Sequence, residues 1–365
     1  MNLYGLPLRE LTEIVRSRRL PDYRARQIAR WLYHRHADSI GAMTDLPADL
    51  RDEWKTAFRI ASPQPDGVEL STDGTQRLTW VTDGDDIYES ALIPDRERAT
   101  LCISSQAGCR IGCKFCLTAR KGLRGNLSPA EILGQYRNLP ARDHVTHIVY
   151  MGMGEPLDNT DGVLRSLEIF TSEWGYALSP RRITVSTVGI LPDLERLLDT
   201  TGVNVAISLH AARREDRLPL VPSENRHPIA TVVELLRHRA ALALPPFPGT
   251  GRRRVSFEIV MLDGITDRPD QAEAVRSLIE GIPARVNLIP WNPFSGTTFR
   301  PSPRPAIERY QAILKRSGIT TTIRESRGED IGAACGLLAG RRRVVERPST
   351  VHQVTHRSVR PAVPF

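Results

Sequence analysis

Lysine is nearly missing from this chain of 365 residues, standing only at Lys55, Lys114, Lys121 and Lys315. Lysine and arginine together still number 50 against 42 acidic residues, so the net charge of +8 is carried almost wholly by arginine. Arginine's planar fork suits phosphates and the faces of bases. The surplus therefore reads either as a surface for an acidic partner, nucleic acid first, or as a merely solvated basic surface. Cysteine is scarce as well. Five cysteines, an odd number with three bunched together, exclude a secreted disulfide scaffold and fit a reducing cytosol. No window approaches the roughly 20 apolar residues of a membrane span. The first residues, Met1 to Arg9, lack a basic stretch followed by an apolar one, so no signal peptide is read. A soluble, cytoplasmic chain of about two domains with no membrane partner is expected.

What is present falls into distinct stretches. Over residues 1–60, Leu8, Leu11, Ile14 and Val15 fall at helical spacing, as do Ile28, Leu32 and Tyr33, and a third helix carries Trp54 and Phe58. Arg24, Arg26, Arg30, His34 and His36 make this helical domain basic. It reads either as an RNA-binding accessory module or as a packing domain. Residues 61–97 hold strand-like runs separated by Asp73-Gly74 and Asp83-Gly84, the signals of a β-hairpin linker. From 98 to 345 strand patterns at 100–104, 148–151, 183–186, 205–209, 255–261, 286–289 and 320–323 alternate with helical ones. That alternation calls for a parallel sheet covered by helices, an α/β fold of the partial (β/α)6 TIM-like barrel type. Residues 346–365 have no period and read as a disordered tail. Pro245–Gly249, before Arg252, Arg253 and Arg254, reads as an exposed basic loop.

Polar motifs gather at the C-terminal ends of these strands, where barrels place their chemistry. They are Gly152-Met-Gly-Glu155-Pro156, Ser186-Thr-Val-Gly189, Ser208-Leu-His210-Ala211 and Asn292-Pro-Phe294. The most specific motif is Cys109-Arg-Ile-Gly-Cys113-Lys-Phe-Cys116. Short cysteine runs hold iron–sulfur clusters, usually with four ligands; three ligands leave one iron with an open position. Zinc is the alternative, with Cys102 as a fourth ligand closing a tetrahedral site. Plain packing of small thiols is another.

The C-x3-C-x2-C spacing resembles the signature of the radical S-adenosylmethionine (SAM) superfamily. The longer set resembles the RlmN/Cfr family of adenosine RNA methyltransferases: Cys102-Ile-Ser-Ser-Gln-Ala-Gly-Cys109, the strand-end motifs above, Asn287-Leu-Ile-Pro-Trp-Asn-Pro293 and Asp330-Ile-Gly-Ala-Ala-Cys335-Gly336. The resemblance implies a radical SAM barrel with a [4Fe–4S] cluster on Cys109, Cys113 and Cys116. It implies SAM contacts from Gly154, Glu155, Ser186, Ser208, Leu209, His210 and Asn292. Cys335 would carry a methyl group, Cys102 would resolve the protein–RNA adduct through a transient disulfide, and Glu89 would take the ring proton. The implied product is an adenosine methylated at C2 in 23S rRNA, with tRNA as a further substrate; methylation at C8, or an iron–sulfur RNA-binding relative without activity, are the alternatives. An electron donor such as flavodoxin or ferredoxin is the implied protein partner. Read without the resemblance, Cys102 and Cys335 could be core packing, Glu89 a solvated hairpin position, and His210 a strand-end packing residue. The chain departs from the family's usual text at Arg124-Gly125-Asn126, at Leu220–Arg226, and at Gly332 and Leu337.

Overall fold

Leu11 and Val15 lie one helical turn apart, and both are withdrawn from solvent on the inner face of α1 (Leu8–Ser17). The computed structural model describes residues 1–140, 142–241 and 253–340. After α1 come α2 (Tyr23–Ala29), which runs on through a π turn at Arg30–His34, and α3 (Ala48–Ala57), whose Trp54 is fully buried. The expected loop Pro245–Gly249 and the expected tail from residue 346 lie outside the described residues.

Three antiparallel strands come next: β1 (Gly67–Leu70), β2 (Gln76–Val81) and β3 (Ile87–Asp95). Both Asp-Gly dipeptides fall in the turns between them. β3 then pairs antiparallel with β4 (Arg98–Cys102), Ala91 opposite Cys102. The hairpin is thus continuous with the barrel sheet, which β4 begins. A short antiparallel pair, β5 (Gln106–Gly108) and β6 (Leu123–Asn126), brackets the cysteine run and the one-turn helix α4 (Leu117–Arg120). Their register slips between Ala107, opposite Gly125, and Gly108, opposite Leu123, so Arg124 is the extra residue of a bulge.

The chain next alternates helix and strand: α5 (Pro129–Arg137), β7 (His147–Tyr150), α6 (Thr160–Thr171), β8 (Ile183–Thr187), α7 (Asp193–Thr200), β9 (Asn204–Ser208), α8 (Arg214–Arg217), α9 (Ile229–Ala241), β10 (Val255–Met261), α10 (Pro269–Leu278), β11 (Ala284–Pro290), α11 (Arg304–Arg316) and β12 (Thr320–Ile323). The sheet has ten strands in the order β1-β2-β3-β4-β7-β8-β9-β10-β11-β12, parallel from β4 onward. β1 and β12 are its edges, so the barrel stays open, as the six crossover helices lead one to expect. α5 begins with a reciprocal capping box between Ser128 and Glu131, worth about 1 kcal/mol.

α5 also holds the N-terminal helices in place. Buried Arg137 donates to the carbonyls of Leu32, His36 and Ala37 and to Asp38 at 2.6–3.2 Å, and its guanidinium lies 4.8 Å from the Tyr4 ring. Tyr4 and Tyr176 share a hydrogen bond of 2.8 Å between their hydroxyls. One core runs from Leu3 in the helical region through every barrel layer. No helix of the described residues is long and apolar enough to cross a membrane.

Candidate active site

The loop between β5 and α4 carries three thiols within eight residues. Cys109 and Cys113 are both buried enough that desolvation raises their thiol pKa, Cys109 to about 12, and in each case the Cys116 thiol adds to the rise. Cys102 belongs to a different group: burial raises it first, and Cys335 is the neighbouring thiol that adds to the rise. All five cysteines are free. Among the described residues, no three His, Cys, Asp or Glu side chains converge as the ligands of a single metal ion. Cys102 packs away from the loop, with Ala91 and Ala333. Three thiols spread around one cavity suit a larger cluster.

That cavity brings together most of the residues singled out in the sequence. Cys109, Cys113, Cys116, Gly154, Glu155, Ser186, Ser208, His210 and Cys335 all line it. Four do not. Leu209 is fully buried, and Asn292 lies behind Cys335, donating to the Cys335 carbonyl at 3.1 Å and accepting from Ser326 at 2.8 Å. Cys102 packs with Ala91 and Ala333. Glu89 is fully buried, so the solvated-hairpin reading fails. Its Oε2 accepts the Ala339 N–H at 2.8 Å, and Oε1 lies 3.5 Å from the Arg77 guanidinium.

Two of the lining residues, Glu155 and His210, are held by specific bonds at their strand ends. The Glu155 carboxylate accepts the N–H groups of Leu157 at 3.0 Å and Val188 at 2.9 Å, tying the end of β7 to that of β8. Burial raises its carboxyl to about 7 even against those bonds. A carboxylate so deeply buried is stabilised by a cation beside it, such as an amino acid ammonium. His210 sits at φ +60°, a conformation costly for a non-glycine residue and found at functional strand ends. Its Nδ1 accepts the Val260 N–H at 3.2 Å, its ring meets Phe115 edge-on at 4.6 Å, and burial lowers its pKa to about 3. Burial thus favours its neutral form. Cys335 is exposed to the cavity but deep in the molecule, and desolvation raises its thiol.

The segment carrying Cys335 is fastened at both ends by distant parts of the chain. Ser71 and the Thr72 N–H donate to Asp330 at 2.6 and 3.1 Å, and the Gly328 N–H donates to Asp73 at 2.9 Å. At the other end Ala339 binds Glu89, and the Leu338 carbonyl accepts from Thr118 at 2.6 Å. Between them the Leu117 N–H donates to the Gly336 carbonyl at 2.8 Å, joining this segment to the cluster loop.

Two buried charges escaped the sequence reading. Arg217, fully buried in α8, donates to the carbonyls of Val188, Ser208 and Leu209 at 2.9–3.3 Å and pairs with Glu224 at 2.5 Å. One guanidinium thus fixes the ends of both β8 and β9. Nothing local marks an arginine for that role. Glu258 lines the cavity from β10, in register between Ser208 and Asn287, and accepts from Asn287 at 2.8 Å. A lone carboxylate within the apolar run of a parallel strand was the available signal.

The geometry agrees with what the chain is similar to. Residues 103–274 match the family model of the radical SAM superfamily, and residues 1–60 that of the ribosomal RNA large subunit methyltransferase N-terminal domain. The dual-specificity RNA methyltransferase RlmN of Geobacter sulfurreducens is 41% identical over 341 residues, covering 93% of this chain and 92% of that protein. The chain belongs to the RlmN family of radical SAM methyltransferases. A relative named as a probable RlmN from Bacteroides thetaiotaomicron is 40% identical over 337 residues, 92% of this chain and 95% of that protein. The crystal structure of a radical SAM methyltransferase from Sphaerobacter thermophilus superposes with a TM-score of 0.84 at 38% identity, covering 93% of this chain and 100% of that one. As a radical SAM enzyme the RlmN-family chain works with a [4Fe–4S] cluster and SAM, and the three-thiol loop and buried Glu155 have the donor chemistry for both.

Proposed function

We propose that this RlmN-family enzyme methylates C2 of an adenosine in 23S rRNA, and of one in tRNA, in the cytoplasm, using electrons from a flavodoxin- or ferredoxin-type donor. The observation that carries this reading is that the three clustered thiols and Cys335 line one cavity, with Cys102 packed against Ala333 just behind it. Cys109, Cys113 and Cys116 hold the cluster. Gly154, Glu155, Ser186, Ser208, Leu209, His210 and Asn292 make the SAM pocket, with Leu209 and Asn292 acting from behind its wall. Together the bound cluster and SAM supply a methyl group and a 5′-deoxyadenosyl radical.

The chain's own residues do the rest. Cys335 faces the cavity and accepts the methyl group on sulfur, the one thiol of the second group with access to a substrate. An adenine C–H carbon is too poor a nucleophile for direct methyl transfer, so the methyl carbon on Cys335, having given up one hydrogen atom to the deoxyadenosyl radical, would bond the ring carbon and tie the protein to RNA. Cys102, its neighbour, would lose its proton and attack the Cys335 sulfur, so that the sulfur–sulfur bond forms as the sulfur–carbon bond to the product breaks; the freed carbon takes up a proton, and the one surplus electron would be the cluster's to take back. Glu89 takes the ring proton; its Oε2 becomes available once the Ala339 N–H is released.

Nucleoside mass spectrometry after anaerobic reaction with SAM, reductant and either rRNA or tRNA tests this. The expected product is 2-methyladenosine, and the RNA that carries it identifies the substrate. A peak of 8-methyladenosine, or no methylated adenosine with the cluster loaded and 5′-deoxyadenosine released, overturns it.

A further inference from the structure

Two of the chain's four lysines, Lys114 and Lys121, lie on the cluster loop and just after α4, with Arg120 and Arg124 beside them; all four side chains are exposed. Surface arginines elsewhere are commonly neutralised, as Arg110 is by Asp158 at 2.7 Å and Arg16 by Asp22 at 2.6 Å. Lys114, Arg120, Lys121 and Arg124 pair with no carboxylate among the described residues. A groove runs between this loop and the turn after Asn292, bordered by Lys114, Arg120, Thr297, Thr298 and Phe299. Cys113 and Ala119 line both the groove and the central cavity, so the two are neighbours.

The groove is built to present flat, charged groups. Arg120 donates to the carbonyls of Ser295 and Gly296, and its guanidinium lies 5.7 Å from the Phe294 ring. Gly296 has φ +80°, and a Cβ there would come within 3.2 Å of both terminal guanidinium nitrogens. A side chain at Gly296 would crowd the guanidinium. Phe299 stands edge-on to Trp291 at 6.0 Å and keeps part of its ring exposed.

We infer that this groove holds a single-stranded stretch of RNA adjoining the target adenosine, with Lys114 and Arg120 against its phosphates and Phe299 beneath a base. The inference rests on the RNA reading above and adds where the substrate strand runs. An adenine whose ring carbon is to be modified has to leave its stack, and the neighbouring nucleotides then need a new one. Cations beside an aromatic face, with hydroxyls between them, are the chemistry that single strands use. An acidic protein would need the charges but not the ring.

The test measures binding and methylation of transcribed 23S rRNA across a salt series, with each preparation normalised to its cluster absorbance. Arg120→Ala should flatten the slope of log affinity against log salt by about 0.7, the share of one single-strand phosphate contact. It should raise the KM for RNA more than it lowers kcat, and Arg120→Lys should restore the slope. Phe299→Ala should weaken binding by about fivefold to a hundredfold at every salt concentration with the slope unchanged. A merely structural defect would not separate slope from intercept in this way. Wild-type affinity and slope in both variants overturn the inference. So does normal RNA binding with turnover lost on reduced flavodoxin and regained with dithionite, which would make the groove an electron-carrier site. If the unmodified enzyme releases 5′-deoxyadenosine but methylates neither rRNA nor tRNA, the RNA reading itself falls, and the groove with it.

Discussion

Two loops meet at the cavity, and they differ in how much of their support is local. The cluster loop is framed by its neighbourhood: its three cysteines fall within eight residues, and the short β5–β6 pair closes around them, with bonds from Lys114 to Leu220 and from Trp291 to Phe115 added from further away. The Cys335 segment is held from afar, by Asp73 and Glu89 of the hairpin and by Thr118 of α4, each through hydrogen bonds to the segment's backbone. The difference reflects the work each loop does. A loop that grips a cofactor gains from local rigidity, whereas a thiol that passes from methyl carrier to RNA adduct to disulfide needs fastenings that polar groups can release. Backbone hydrogen bonds of about 1 kcal/mol each are of that kind.

The sharpest break between the loops comes from their cysteines. Cys335→Ala should leave the cluster's absorbance and SAM cleavage in place while abolishing methylation, whereas Cys109→Ala should lose the cluster itself. Full methylation by Cys335→Ala would remove the methyl-carrier role. Next comes the partner thiol: Cys102→Ala should arrest the reaction after bond formation, seen as a protein band shifted by covalently attached RNA and sensitive to ribonuclease. Normal product yield without that band would show that Cys102 only packs against Ala91 and Ala333.

The same contrast explains how much the sequence disclosed. The strands and crossover helices were legible because each repeats an apolar pattern over one element, and the three cluster cysteines because their spacing is local. The continuity of the hairpin with the barrel was not, since pairing of Ala91 with Cys102 is a property of two strands and not of either. Nor was the burial of Glu89, because alternation in a hairpin names two faces without saying which is covered. Arg217 was hidden for a similar reason: its partners, the carbonyls of Val188, Ser208 and Leu209, are backbone groups that carry no sequence signal.

A smaller effect is expected from loosening the distant fastening alone. Asp330→Asn weakens the acceptor for Ser71 and Thr72, and Gly328→Ala places a Cβ 2.8 Å from Thr75 at φ +66°. Either change should speed amide exchange across residues 326–340 while α11 stays protected, and should slow methylation roughly three- to tenfold, in keeping with the loss of one or two hydrogen bonds. Cluster content should not change. Equal exchange in variant and parent would mean that the segment is held by its packing instead.

The gentlest probe lies at the wall the two loops share, where His210 presses against Phe115 of the cluster loop. Burial, assisted by the nearby Arg217 charge, lowers the His210 pKa in the folded protein to about 3 from its ordinary value near 6.5. A group whose pKa is depressed on folding adds stability that is fully present above its unfolded pKa and is lost as pH falls toward the folded one. The cluster-free protein should therefore lose thermal stability as pH drops from about 6.5 toward 3, in part because His210 must take up a proton on unfolding. His210→Asn keeps a hydrogen-bond acceptor and tolerates the left-handed backbone at φ +60°. Its melting temperature should start below that of the parent near neutral pH, and the gap should narrow on acidification. Parallel curves would mean that His210 contributes only its shape to the wall, and that the acid sensitivity belongs to other groups such as His36, whose pKa burial also lowers, to about 4.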